Sequence, residues 1–587
     1  MDTALHRFHI PVMGTGFTID SALRVARLGI STVISLVDDR LIDRVRRHHA
    51  GLHGLDAEPI GASVPDARAR RITAYLDLVA TVVARQMEQL RALPLEPNND
   101  KWRYLSLLDD ASLLKRLFHL ARALPDSQRE DLDAEIASRM RPGAIGVNIM
   151  TKLDRARDGG PAMSDAKAAL RGFALSSLEG SLVLSAGINP ALFTYLEEFP
   201  CFFRDSEGRV AKTVVLKVSD LRSALIQGKV LAKKGIEVAE FRIESGLNCG
   251  GHVFPTEGEL LGPILKAFKD ERSHFPALFE PLIEKARGPL HPSARGRRIQ
   301  VTVQGGVGTH GEMRRLLQDY GADAVGWATP FLLVPEVVPL DEETRARLAA
   351  ATERELYLSD ASPLGVPFAN LRGSSSERWT RARIDAGTPG SPCPKGYVAF
   401  HSDNGAAPVC LASREYQTAR LAALGYTKPP TWEEADASVR AIYSKACICD
   451  HLGNGTLRAL GLASDELPVA VCPGPNLAWF DRCYSLEEMV DHIYGRGPAL
   501  TPPERPHLFA KELALYVDHF EKMPAKSPRA VEAFRKNLLL GIDHYEELVT
   551  LSAFPGENLD SLRAVLAAQR ARILAAGAPI LTASQSI

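Results

Sequence analysis

A chain of 587 residues is too long for one ordinary core, so two or more domains are expected. With 45% hydrophobic and 24% charged residues the composition is globular, and a formal net charge of -1 gives no overall pull toward nucleic acid or a membrane surface. No run approaches the roughly 20 apolar residues that span a bilayer, and the first residues, "MDTALHRFHIPVMG", lack the basic-then-apolar order of a secretory signal, so a cytoplasmic protein is expected.

In chain order, short apolar and β-branched runs recur at 9–17, 31–37, 144–150, 180–187, 212–220, 237–246, 299–306 and 322–329, with a polar turn and a helical pattern after each. Continuous apolar strands alternating with helices imply a parallel sheet covered on both faces, and eight such units fit a closed β/α (TIM-type) barrel. An open doubly wound sheet would show the same periodicity. The barrel is predicted over 1–37 and 141–335.

Residues 38–140, between the second and third strands, exceed what one loop and one helix need. Ile72, Leu76, Val79, Val83, Met87 and Leu90 recur at helical spacing, and further amphipathic runs span 106–124 and 127–140. An insertion leaving the C-terminal end of a barrel strand is expected to stand over the active-site face as a lid or docking subdomain.

After Pro335 the β/α rhythm stops. Residues 336–389 read as an irregular connection rich in Pro, Gly and Ser, 390–490 carry six cysteines, and 491–587 resume helical patterns at about 506–523, 528–551 and 559–576. A largely helical, cysteine-containing C-terminal extension is therefore expected.

The tips of barrel strands carry chemistry, so the residues where each run breaks are the candidates. "QGGVGTHGEMRRLL" (304–317) places Gly305 and Gly306 ahead of a helix opening near Thr309, and "GWATPF" (326–331) ends the eighth strand with Ala328 and Thr329. Bare main chain and a helix N-terminus together suit a phosphate group. "GLNCGGHVF" (246–254) sets His252 behind Gly250 and Gly251. An imidazole with an ordinary pKa near 6.5 both takes and gives protons at neutral pH.

The stretches "PVMGTGF", "GVNIM", "ESGLNCGGH" and "VTVQGGVGTHGEMRRLLQDYGADAVGWATPFL" resemble, in that order, the segments with which nitronate monooxygenases (the 2-nitropropane dioxygenase family) and the related enoyl reductase components of polyunsaturated fatty acid synthases hold flavin mononucleotide. The resemblance covers about residues 8–335 without the insertion. It implies a β/α barrel with FMN over its C-terminal face. Pro11, Met13 and Gly14 would lie under the flavin ring, with Asn148 beside it. Gly250 and Gly251 would allow close approach, Gly305, Gly306, Ala328 and Thr329 would surround the phosphate, and His252 would be the active-site acid or base. Where the family usually has Gly-Thr after strand eight, this chain has Ala328-Thr329, and the methyl group crowds the phosphate. Lys217, in "LKVS" at the end of strand five, is a second catalytic candidate, as a cation beside the flavin's pyrimidine edge. Cys249 is read as a packing residue.

Among Cys393, Cys410, Cys447, Cys449, Cys472 and Cys483, the predicted metal ligands are Cys447, Cys449, Cys472 and Cys483, for an iron–sulfur cluster or zinc; buried or reactive thiols are the alternative. The expected function is an FMN-dependent oxidoreductase, monooxygenase or reductase, acting on a small molecule. No Gly-x-Gly-x-x-Gly fingerprint follows a strand, so reductant either binds transiently at the flavin or comes from an electron-donor protein. Two other readings stay open: a flavin-free barrel enzyme for a phosphorylated substrate, and a partner- or RNA-binding protein on a retained barrel scaffold.

Overall fold

Side chains along each barrel strand alternate between the interior and the surrounding helices, and this parity decides what reaches the mouth. The computed structural model describes residues 4–125, 128–156, 164–185, 187–402, 407–523 and 527–576. The strands are β1 (Phe8–Ile10), β2 (Ser31–Ser35), β3 (Ile145–Met150), β4 (Gly180–Ser185), β5 (Lys212–Val218), β6 (Val238–Glu244), β7 (Gln300–Gln304) and β8 (Ala324–Gly326). Each pairs in parallel with the next and β8 pairs with β1, so the barrel is closed and the open-sheet alternative falls away. Ser35 is level with Asn148, Lys217 with Arg242, and Glu244 with Gln304, which in turn is level with Gly326.

Lower in the barrel Val33, Val183 and Val215 form a small apolar plug. Beside it Arg242 Nε donates to Glu240 (2.8 Å), which also accepts from the Thr302 hydroxyl. These buried charges are paired, as burial requires. The crossover helices open on side-chain caps: Asp38 accepts from Leu41 N–H, Asp220 from Ser223 N–H and Thr309 from Glu312 N–H.

The insertion is helical, comprising Asp39–Leu52, Ala67–Ala92, Asp100–Leu107, Leu113–Ala123 and Glu130–Arg139, but its placement corrects the expected lid. Helix Ala67–Ala92 packs between Asp39–Leu52 and Asp165–Leu175 on the outer wall, because Ile72, Leu76, Val79 and Val83 form an apolar stripe that the barrel buries. The next helices gather at the N-terminal ends of the strands. Asp109 N–H donates to Leu5 O just ahead of β1 (3.1 Å), and the Tyr104 hydroxyl donates to Arg141 O ahead of β3 (3.0 Å).

The C-terminal face is covered from the other end of the chain. Residues 336–389 are ordered rather than irregular: helix Glu342–Ala349, an antiparallel pair β9 (Leu356–Ser359) and β10 (Phe368–Leu371), and helix Ser375–Asp385. Gly251 N–H donates to Cys472 O (3.1 Å), Ala369 N–H to Gly251 O (2.8 Å) and Gly474 N–H to Thr329 Oγ1 (3.0 Å). Helix Ile448–Ala459 presses so closely on the loop after β1 that a Cβ on Gly16 would lie 2.8 Å from Thr456 Oγ1.

Helices Leu508–Glu521, Pro528–Leu548 and Leu559–Ala575 form an outer layer against helix Leu261–Glu271. Among the described residues, no helix is long and apolar enough to cross a membrane. The layer is pinned by a buried ion pair in which Arg315 makes two hydrogen bonds to Glu557, of 3.0 and 2.7 Å, and His507 Nε2 lies 3.1 Å from the same carboxylate. Replacing Glu557→Ala leaves the Arg315 guanidinium buried without this partner and should destabilise the protein by about 3–5 kcal/mol. Urea denaturation against the wild type checks this; a loss below about 1 kcal/mol, the value of a surface pair, contradicts it.

Candidate active site

Because the inward parity continues to the strand tips, Ser35, Asn148, Ser185, Lys217, Glu244 and Gln304 ring the barrel mouth, and all of them line one cavity of about 360 Å³. The loops beyond the tips complete it. Pro11, Met13, Gly14, Gly250, Gly251, His252, Gly305, Gly306, Ala328 and Thr329 line the same space. The structure thus brings the whole sequence-derived flavin set, with Lys217, into one place. The roof comes from the extension: Phe368, Val398, Ile448, Cys449, Leu452, Cys472 and Asn476.

The two glycines before His252 have separate reasons. A Cβ on Gly250 would lie 2.5 Å from Cys472 O, so its bareness admits the roof strand rather than a ligand. Gly251 has φ +73°, a left-handed conformation that glycine alone adopts freely, and its Cβ position faces open space. This turn aims His252 back over the mouth.

The imidazole is held by the roof. Ser362 Oγ lies 2.8 Å from His252 Nε2 and accepts Leu364 N–H (3.1 Å), and the Phe368 ring packs edge-on at 5.0 Å between centroids. Burial, with the Lys217 charge added, pushes His252 from 6.5 down to about 4. The sequence-based expectation of an ordinary value is corrected: at neutral pH this imidazole is uncharged and can only accept a proton or donate its one N–H.

Lys217 is not a lone cation, because its Nζ lies 2.8 Å from Glu244 Oε2 and Gln304 Nε2 donates to Glu244 Oε1 (2.5 Å). The pair brings no net charge to the mouth. Asn148 Oδ1 and Gln304 Oε1 are buried and find no hydrogen-bond partner among the described residues. An orphaned buried acceptor is costly, and these two belong to residues that line the cavity, although neither oxygen opens onto it.

At the expected phosphate end, Gly305 and Gly306 both have positive φ, and among the described residues no hydrogen bond is donated by their N–H groups or that of Thr329. A Cβ on Gly306 would overlap Asn248 Nδ2 at 2.0 Å. The buried Arg505, unmarked in the sequence reading, donates to Gly306 O (2.5 Å), Asn476 Oδ1 (2.7 Å) and Glu312 Oε1 (2.6 Å), which braces this loop from behind. A planar ring across the barrel mouth with a phosphate at these bare N–H groups fits the residues present, as FMN would require.

The expected metal quartet is not assembled. Cys447 and Cys449 belong to a small core with Tyr397, Val398, Ala399 and Cys410. Cys472 lies in the main core beside Gly14, its thiol pushed up to about 12 by burial, and Cys483 is exposed. Chain direction separates them, since the run 469–474 crosses the cavity before Cys483 emerges on the outside. Among the described residues no group of three or more His, Cys, Asp or Glu side chains is placed to hold a metal ion. His451 is instead buried, 2.8 Å from Ser376 Oγ. Cys249 is a buried packing thiol raised well above its usual range by burial.

Sequence reasoning missed Glu244, Gln304 and Ser362. Gln304 stands at the head of the quoted "QGGVG" and could have been found by carrying the two-residue period to the strand end. Ser362 carries no local signal, because only the return of the extension places it there.

No family model matches the chain, and no curated protein matches it. Solved structures similar to it include FabK from Thermotoga maritima, with 14% identity over 64% of this chain and 82% of that one and a TM-score of 0.33. The enoyl reductase domain of MlnA from the macrolactin biosynthesis cluster of Bacillus amyloliquefaciens shows 14% identity over 65% of this chain and 91% of that one, TM-score 0.35. Nitroalkane oxidase from Streptomyces ansochromogenes shows 11% identity over 63% and 84%, TM-score 0.32. Likenesses this distant carry no argument about activity; the closed barrel stands on its own strand pairing.

Four buried histidines share the behaviour of His252, and burial is the leading cause for each: His451 and His492 fall to about 4, His6 to about 3, and His9 well below 6.5. Between these values and 6.5 the unfolded chain binds more protons than the folded one, so the stability present above pH 6.5 is lost as pH falls toward about 4. Glu512, raised to about 7 by burial, opposes this, as does Glu259, also raised by burial. Urea midpoints should be lower at pH 5 than at pH 7; equal or higher midpoints at pH 5 contradict the assignment.

Proposed function

We propose that the protein is an FMN-dependent oxidoreductase acting on a small, largely apolar substrate, with His252 as the proton acceptor. The observation that carries this reading is the cavity at the strand tips whose lining includes Gly305, Gly306 and Thr329, where no hydrogen bond is donated by their N–H groups among the described residues. Bound there, FMN would supply the redox chemistry, taking up two electrons from the substrate and passing them on.

The residues of this chain do the rest. Asn148 and Gln304 would orient the ring from below, and the main chain at 305–306 and 328–329 would hold its phosphate. Phe254, Phe368, Leu332, Ile448 and Leu452 exclude water from the space above. His252 Nε2 is held 2.8 Å from the Ser362 hydroxyl, which leaves Nδ1 as the ring nitrogen to exchange a proton with a substrate carbon or heteroatom. The Lys217–Glu244 pair sets a local dipole at the edge of the mouth.

At a value of about 4 the imidazole rests neutral, in the form that takes a proton, and its one N–H is the proton it holds. A phosphorylated substrate without flavin would use the same N–H groups, and colour separates the two readings.

The purified full-length chain should bind FMN stoichiometrically and show a flavin absorption spectrum, or acquire one on reconstitution; a chain that stays colourless with excess FMN sinks the reading. His252→Gln should retain flavin and lose about 10²- to 10⁴-fold in kcat/KM with the best small nitro or enoyl substrate found by screening. Wild-type kcat/KM should hold steady from pH 8 to pH 5 and fall only as His252 protonates near pH 4, whereas an acid limb near 6.5 would contradict the depressed value.

A further inference from the structure

Four of the six late cysteines meet in one small core beside the cavity. Cys410, Cys447 and Cys449 pack with Tyr397, Val398 and Ala399, and Cys393 packs against the same core. Two backbone contacts set the Cys393–Cys410 pair. Ser391 N–H donates to Ala412 O (2.9 Å) and His401 N–H to Val409 O (3.1 Å), so the runs carrying the two cysteines lie side by side.

Cys393 has two further features. Its φ is +50°, a left-handed conformation that non-glycine residues adopt only at a cost and that concentrates at functional sites. It is also partly exposed, while Cys410 is buried. The segment is locked onto the barrel, since Lys395 Nζ lies 2.6 Å from Asp38 and Arg155 donates to Gly396 O (2.9 Å). Neither flexibility nor lack of packing explains the strain.

We propose that Cys393 and Cys410 are a redox-active dithiol that exchanges with a thiol–disulfide partner, with Cys393 as the attacking sulfur and Cys410 as the resolving one. Oxidation balances as follows. The Cys393 thiolate attacks one sulfur of an external disulfide such as glutathione disulfide, which breaks that bond, forms a mixed disulfide and releases one thiolate. Cys410 then gives up its proton and attacks Cys393 Sγ, closing the intramolecular bond and releasing the second thiol. Two protein thiols are oxidised to one disulfide, and the external disulfide is reduced to two thiols. An external dithiol reverses both steps.

The electrostatics agree with this assignment of roles. The Cys410 thiol, the Gly396 N–H and the Arg155 guanidinium hold Cys393 down at about 7, while Cys410 is pushed far up by the same contact and by burial. Cys447 and Cys449 repeat the pattern, the former lowered and the latter raised, and Cys449 forms part of the cavity wall. Exchange between the pairs brings the two electrons to that wall. This last consequence rests on the flavin reading; the dithiol itself does not.

The full-length chain is equilibrated in glutathione buffers from reducing to oxidising, its thiols are counted, and its disulfides are mapped by mass spectrometry after acid quench. The expected result is a reversible loss of two thiols as a Cys393–Cys410 disulfide, with glutathione reacting at Cys393 roughly tenfold faster than at the exposed Cys483 at pH 7. Cys410→Ser should trap a stable mixed disulfide on Cys393. Stoichiometric zinc or iron in the purified protein that is lost in Cys410→Ser would overturn the proposal, as would the absence of this disulfide from the wild type in the most oxidising buffer. Flavin content is measured on the same samples. A colourless protein whose pair still cycles removes the flavin reading and leaves the dithiol standing.

Discussion

Both backbone groups of Gly251 are hydrogen-bonded to chain that arrives more than a hundred residues later, its N–H to Cys472 O and its C=O from Ala369 N–H. The enclosed cavity depends on this arrangement. Val253 N–H adds a third bond, to Pro367 O (3.0 Å), so the loop after β6 is stitched between the β9–β10 pair on one side and the run 469–474 on the other. Were the loop left to solvent, its left-handed glycine would permit many conformations. Stitched, it offers one, and His252 inherits a fixed direction. Ser362 and Phe368, which come with the same β-pair, then fix the ring itself.

Closing the roof also sets the charge state below it. The mouth carries Lys217 paired with Glu244, a second lysine, Lys152, over the Phe254 ring, and an imidazole driven neutral by burial. In a space screened from water, any charge that develops during a reaction meets dipoles already in position.

The barrel was legible because it is a matter of periodicity. All eight apolar runs became strands, since a parallel strand buried on both faces leaves an apolar signature in its own residues. The tips were legible for a related reason: Gly305, Gly306 and His252 lie within one to eight residues of a strand end, so local order fixed their position. Whatever depends on distant chain was not legible. The insertion looked like a lid because sequence shows that a helix is amphipathic and not which end of the barrel it will meet. The metal quartet failed likewise: Cys472 and Cys483 stand close together in sequence, while Cys393 and Cys410, more remote from Cys447, are the ones that fold against it. His252 was found and its neutrality was not, because its pKa is set by burial under residues 362–368.

The extension does more than roof the cavity. After leaving the strand tips at Gly474 it runs down the outside of the barrel as helix Leu486–Tyr494, and at the base the Tyr494 hydroxyl meets His6 Nδ1 (3.0 Å) ahead of β1. Arg496 then donates to Ser106 O, Leu107 O and Leu108 O, capping the carbonyl end of helix Asp100–Leu107 where a cation also opposes the helix dipole. The insertion and the extension therefore meet beneath the barrel, and Arg103 of the former pairs with Glu336 and Glu487 of the latter. A strap fastened at both ends couples two faces that other barrels divide between chemistry and stability. The chain after residue 335 is thus part of the barrel's fold and of its site at once, which is why neither reads as a self-contained domain.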